Sequence, residues 1–121
     1  MAKMIIGGEH VDARSGAVME IRNPATGEVV DTVPQASVED VRQAIDVAYE
    51  AFRQWADTPP HKRAEVLHKG AQLVREHLQE IATLETKEQG KPLRESQIEV
   101  GRFAENLEYY AGLADKIRGE F

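Results

Sequence analysis

Side chains able to do chemistry are thinly spread along this chain. The four histidines, His10, His61, His68 and His77, are spaced too widely for the i, i+4 pair that places two imidazoles on one metal. No HExxH, GxGxxG, GxSxG or zinc-ligand spacing occurs. The histidines therefore read as surface or helix-flank residues. With no cysteine in the sequence, disulfides, thiolate metal sites and any thiol nucleophile are excluded. Gly90-Lys91 has the look of a phosphate loop. Such a loop needs an earlier glycine at fixed spacing and a following Ser or Thr, and neither is present. The pair reads instead as the stop of a helix, with Gly90 at the left-handed C′ position and Pro92 turning the chain. Glutamates are numerous, but they are spread around the solvent faces of helical segments, as solvated charge runs are. Taken alone, these residues describe a mixed helix-and-strand segment with no active site.

The elements that would position any such residues are bounded by composition. The chain has 121 residues, enough for one small domain or part of a larger one, and 41% of them are hydrophobic, enough for a core rather than disorder. Its 21 acidic against 15 basic residues give a formal charge of -6. That balance disfavours nucleic acid and anionic membrane surfaces, since no basic cluster offsets it locally. No stretch approaches the length of a membrane-spanning helix, and Met1 to Ile6 meets Gly7-Gly8 too soon to serve as a signal peptide's apolar region. A cytoplasmic chain is expected.

Met4 to Val11 reads as a short hairpin folded at Gly7-Gly8, with a second turn at Ser15-Gly16. Val18 to Arg22 and Glu28 to Val33 mix β-branched and charged residues as half-exposed strands do, around the turn Asn23-Pro24-Ala25-Thr26-Gly27. Asn23 is expected to bond the backbone two residues on, and Pro34 to end the strand. Ser37 caps a helix whose Val41, Ala44, Ile45, Ala48, Phe52 and Trp55 share one face, which predicts a buried face. Phe52 and Trp55 suit a ligand pocket chemically, but their spacing points to core packing. Asp57-Thr58-Pro59-Pro60 ends this helix. From His61 to Gln89 the positions Leu67, Ala71, Val74, Leu78, Ile81 and Leu84 recur at helical spacing, with a break predicted near His77. Gly70, unfavourable inside a helix, is expected to admit a neighbouring backbone. A final helix carries Val100, Phe103, Leu107, Tyr110, Ala114 and Ile117, stops before Gly119, and has Gly101, Ala104, Ala111 and Gly112 for close packing. Three apolar stripes need a common partner that the short strands cover only in part.

In order and spacing, these stretches resemble the N-terminal part of the NAD(P)-dependent aldehyde dehydrogenase superfamily. The motifs that carry the resemblance are the Gly7-Gly8 hairpin, Asn23-Pro24-Ala25-Thr26-Gly27-Glu28, the Ala-Ile-x-x-Ala-x-x-Ala-Phe-x-x-Trp pattern ending at Trp55, and Arg63 with its helix. They continue with Leu84-Glu85-Thr86 leading to Gly90-Lys91-Pro92-Leu93, and Tyr109-Tyr110-Ala111-Gly112-Leu113-Ala114. The resemblance implies an α/β fold of the aldehyde dehydrogenase type, present in part: N-terminal β-hairpin strands followed by three or four amphipathic helices. It places residues 1–121 in the N-terminal part of the coenzyme-binding domain, with strands at about 4–33 and helices at about 38–56, 61–89 and 94–118.

Family members are several times longer. The resemblance implies that the nucleophilic cysteine, the general-base glutamate, the oxyanion-binding asparagine and the strands holding NAD or NADP all lie in later segments. No catalytic or cofactor-binding residue is therefore assigned here, and Glu85 and Glu88 belong to the Gly-Lys-Pro motif rather than to the family's catalytic one. In the complete enzyme an aldehyde is oxidised to an acid through a thiohemiacetal, with hydride transfer to NAD(P)+. This chain would supply scaffold and be inactive alone. The alternative is a stand-alone interaction or assembly module of the same ancestry. The implied partners are the remaining catalytic segment or a second copy, in a homo-oligomer. The wording around Gly90-Lys91-Pro92 is similar to semialdehyde-type members. Many family members also hold Na+ or K+ on backbone carbonyls, which by motif fall on Arg22 and Glu88; in a fragment lacking the other ligands, water is the ordinary partner of such carbonyls. Arg22 departs from the family's frequent apolar residue at that place. The same carry-over sets the Asn23 turn beside the helix end at Glu88 and Gln89.

Overall fold

A computed structural model of the chain describes residues 2–116 and 119. They form two compact units, one reaching to Asp57 and the other beginning at Thr58. The first unit opens with strands β1 (Met4–Ile6) and β2 (Glu9–Val11), which pair antiparallel with Met4 opposite Val11. Gly7 and Gly8 join them with φ of 63° and 84°. Two successive positive φ values define the primed turn that matches strand twist, and side chains with a Cβ resist that conformation.

Strands β3 (Val18–Arg22) and β4 (Val29–Pro34) form a second, separate antiparallel pair. The register shifts between Ile21 and Arg22, because Ile21 faces Asp31 while Arg22 faces Val29. Such an irregularity inserts an extra residue and bends the strand next to its turn. The turn is built as the sequence predicts: the Ala25 amide donates to Asn23 Oδ1 at 2.9 Å, and the Asn23 amide to the Glu28 carbonyl at 2.9 Å. Pro34 is the last strand residue rather than lying beyond it, opposite Val18 at an open edge where its missing N–H is not needed.

Helix α1 (Val38–Ala56) follows, with Ser37 and Asp40 forming a reciprocal capping box. Val47 approaches the first hairpin, where a Cβ added at Gly7 would lie 3.3 Å from Val47 Cγ1. The stripe expected to be buried is not: Ile45 is 62%, Phe52 60% and Trp55 47% exposed. Spacing specifies an apolar face but not what covers it, and two small hairpins offer too little surface. Core packing of Phe52 and Trp55 is therefore not found within this chain.

The second unit is a helical layer of α2 (Pro60–Glu76), α3 (Leu78–Gln89) and α4 (Leu93–Ala111). The predicted break is present, with His77 lying between α2 and α3 at φ −105° and ψ 15°, outside helical geometry. Helix α4 packs against both α2 and α3. Ala71, Ala82, Ser96, Val100, Ala104 and Ala111 are the buried residues of this layer, so small side chains let the helices approach closely. Gly70 corrects an expectation, since its close neighbour is a side chain and not backbone: an added Cβ would lie 3.5 Å from Leu107 Cδ1. Helix α4 also stops earlier than predicted. It ends at Ala111 with Gly112 as C-cap, whose amide bonds the carbonyls of Glu108 and Tyr110, and Lys116 Nζ donates to the Gly112 carbonyl. Glycine's poor helix propensity and this capping outweigh the apolar periodicity that runs on to Ala114. Ile117, expected on the stripe, lies outside the described residues.

Candidate functional site

Helix α3 ends as its sequence requires, with Gly90 at φ 70° and ψ 13° and its amide donating to the Thr86 carbonyl at 2.8 Å. The corner that follows is held by Lys91. Its ammonium bonds Glu85 Oε1 and Glu99 Oε2, both at 2.5 Å, so one cation spans the end of α3 and the second turn of α4. The Lys91 side chain is only 19% exposed. Hydrogen bonds from the two carboxylates raise the Lys91 pKa above its ordinary value, and the Glu99 carboxyl is correspondingly lowered, chiefly by Lys91. Beneath this bracket, Thr86 Oγ1 and the fully buried Ser96 Oγ share a hydrogen bond of 2.8 Å. A lysine held charged in this way is a strut and not a nucleophile.

Two further ion pairs have the same character. Arg75 of α2 grips Glu108 of α4 in bidentate fashion at 2.5 and 2.8 Å, which lowers the Glu108 pKa. In the first unit Asp40 is only 3% exposed. Its Oδ2 accepts from the Ser37 amide and hydroxyl, each at 2.9 Å, and from the Arg14 amide at 3.3 Å. The Ser37 backbone bond, with help from the Ser37 hydroxyl and Arg14, holds the Asp40 carboxyl below the usual range. Arg14 also reaches Gln43 through Nη2. The Arg14 and Arg75 pairings were not legible in the sequence, because partners separated by 26 or 33 positions leave no local signal; Lys91 lies only 6 and 8 positions from Glu85 and Glu99, within a stretch whose spacing points to a helix stop and not to an ion-pair bracket.

The residues singled out by motif lie in different units. Arg22 ends β3, and its side chain is not idle: Nη1 donates to the Gly27 carbonyl at 3.1 Å, and Nη2 pairs with Glu20. The charged residue at this position therefore braces the Asn23-Pro24 turn. Glu88 lies exposed in the last turn of α3, among carbonyls that no further helical turn can satisfy. His61 and His68 line an open cleft of about 380 Å³ with Glu65, Gly112, Asp115 and Lys116, while His77 Nδ1 lies 3.0 Å from Glu80 on an exposed helix flank. Among the described residues no group of three histidines or carboxylates is placed to hold a metal, and no buried side-chain nitrogen or oxygen lacks a hydrogen-bond partner. What the geometry provides is bracing.

The order of these elements matches a known family: the model of the aldehyde dehydrogenase family matches residues 10–121. The chain belongs to the aldehyde dehydrogenase family. It is 45% identical over 118 residues to malonate-semialdehyde dehydrogenase 2 of Oceanobacillus iheyensis, a match that takes in 98% of this chain and 24% of that protein. A solved NAD-dependent aldehyde dehydrogenase from Sinorhizobium meliloti superposes with a TM-score of 0.94 at 35% identity, over 98% of this chain and 24% of the other. The structure of 3,6-anhydro-L-galactose dehydrogenase in complex with NAP gives 0.92 at 36% identity, over 98% and 25%. The chain thus spans about a quarter of the length of these aldehyde dehydrogenases and corresponds to an N-terminal segment of their fold.

Among the described residues the strands form two antiparallel hairpins, with no parallel strand–helix crossover and glycine-rich turn to cradle a pyrophosphate. Nor is any helix of the described residues long and apolar enough to cross a membrane.

Proposed function

We propose that this chain is a scaffold segment of an NAD(P)-dependent aldehyde dehydrogenase, part of the domain that binds the coenzyme, and that it performs no chemistry itself. The complete enzyme would oxidise an aldehyde to a carboxylic acid with NAD(P)+ as acceptor, in the cytoplasm and as a homo-oligomer. The observation that carries this reading is the pairing of an aldehyde dehydrogenase match over residues 10–121 with a sequence that contains no cysteine. The thiol on which the family's chemistry depends must come from another segment. The 45% identity to a malonate-semialdehyde dehydrogenase makes short acidic semialdehydes the first substrates to try. The experiment is to incubate the purified chain with aldehydes and either coenzyme while following reduced nicotinamide. No product is expected, and steady turnover by the cysteine-free chain would refute the proposal.

A cation role belongs to the same reading. By motif, the carbonyl oxygens of Arg22 and Glu88 would help hold Na+ or K+ in the complete enzyme, and carbonyls at a helix C-terminus suit a hard monovalent cation. Sodium relaxation on the complete enzyme should show broadening that potassium competes away. Its absence there would remove the site. A second reading, an assembly module without catalysis, is favoured by the exposed stripe of α1; binding to a partner by a chain that never joins a dehydrogenase would support it.

A further inference from the structure

We infer that α1 is built in two halves that part at Val47: an N-terminal half anchored to the rest of its unit, and a C-terminal half, residues 48–56, that opens on its own in the free chain. The anchors all lie in the first half. Ser37 and Asp40 close its first turn with their capping box, and Asp40 Oδ2 also accepts from the Arg14 amide at 3.3 Å. Arg14 Nη2 reaches Gln43. Val47 is half-buried and is the last residue held, with its Cγ1 against the first hairpin at Gly7.

Beyond Val47 the support ends. Every residue from 48 to 56 is exposed, Tyr49, Phe52 and Trp55 among them. Gln54 is engaged in a polar contact, and the three aromatic side chains stay exposed all the same. The stretch is shorter than the roughly 12–15 residues below which a helix without a packed face is marginal in water, and its aromatic residues lower the helix propensity further. Helices α2, α3 and α4 are made differently. Each returns to a buried or half-buried residue at every turn, as in Leu67, Ala71 and Val74 or Val100, Ala104 and Leu107. Ion pairs tie Arg75 to Glu108 and Lys91 to Glu85 and Glu99. Opening any of these three helices unpacks its neighbours, whereas opening residues 48–56 gives up almost no packing.

Residues 48–56 are therefore an order–disorder element whose closure depends on cover over Tyr49, Phe52 and Trp55. The Sinorhizobium meliloti dehydrogenase, of which this chain spans 24%, keeps the same fold over 98% of this chain, and in a complete enzyme of that kind the element is closed. That last step rests on the scaffold reading. Independent opening in the isolated chain does not.

The test is amide hydrogen exchange, read residue by residue by NMR, on the full 121-residue chain. Amides of residues 52–56 should exchange within about tenfold of an unstructured peptide, those of residues 41–47 at least about tenfold more slowly than that, and the packed amides of α2 and α4 more slowly still. A second measurement uses Ala51→Pro, which breaks any helix that runs through it. Exchange at residues 41–47 should stay as in the wild type. Uniform exchange along α1, whether fast or slow, overturns the inference. So does a proline variant in which residues 41–47 lose their protection, because α1 is then one cooperative helix. Neither measurement needs an assembled dehydrogenase, so the scaffold reading stands or falls separately.

Discussion

Asp40 shows how much one side chain does here. Its carboxylate accepts three hydrogen bonds from Ser37 and Arg14 while capping α1, and its pKa is lowered in the folded chain. A lowered carboxyl stabilises the fold above the unfolded value of about 3.9, and that contribution is lost as pH falls through the lower folded value. The Asp40→Asn chain should therefore be less stable at neutral pH and converge with the wild type in acid, read from thermal melts followed by helical ellipticity. A constant difference at every pH would contradict this. Ser37→Ala removes the reciprocal cap and should cost about 1 kcal/mol. Lys91 carries the opposite sign. Its raised pKa means stabilisation fully present below about 10.4 and lost as pH rises through the folded value. Lys91→Met should remove that alkaline loss and speed amide exchange at Ser96, where the corner closes on α4.

At the scale of elements, the sequence made some features plain and hid others. Both hairpins, the Ser37 cap, the break at His77 and the Gly90 stop were readable because each depends on residues within a few positions. The end of α4 was not, since periodicity past Gly112 favoured continuing while capping by Gly112 and Lys116 favoured stopping. Partners far apart in the chain, such as Arg75 with Glu108, leave no periodic trace at all. Gly70 offers a test of the packing. With 3.5 Å to Leu107 Cδ1 there is room for a methyl group, so Gly70→Ala should stabilise the helical unit by about 0.5–1 kcal/mol through helix propensity. Gly90→Ala, placed at φ 70°, should cost about 1–2 kcal/mol. A destabilised Gly70→Ala chain in urea titrations would mean that α2 and α4 lie closer than described.

At the scale of the whole molecule, family and architecture were legible from motif order, while the exposure of the apolar stripes was not. A helical pattern records that a face expects cover, and it is silent on which chain provides it. Large side chains on every helix remain exposed, among them Leu73, Ile81, Leu84 and Phe103 in the helical unit. That is more apolar surface than a self-sufficient domain needs, and it suits a segment made to be covered. The proposed role of this chain, structure without chemistry in an aldehyde dehydrogenase, is open to direct test. The most direct measurement is complementation: a relative's enzyme lacking the quarter that this chain matches, with and without the purified chain, assayed for aldehyde-dependent reduction of NAD(P)+. Neither part should turn over alone, and mixing should restore activity dependent on the relative's cysteine. Activity from this chain by itself, or restored activity that survives loss of that cysteine, would contradict it.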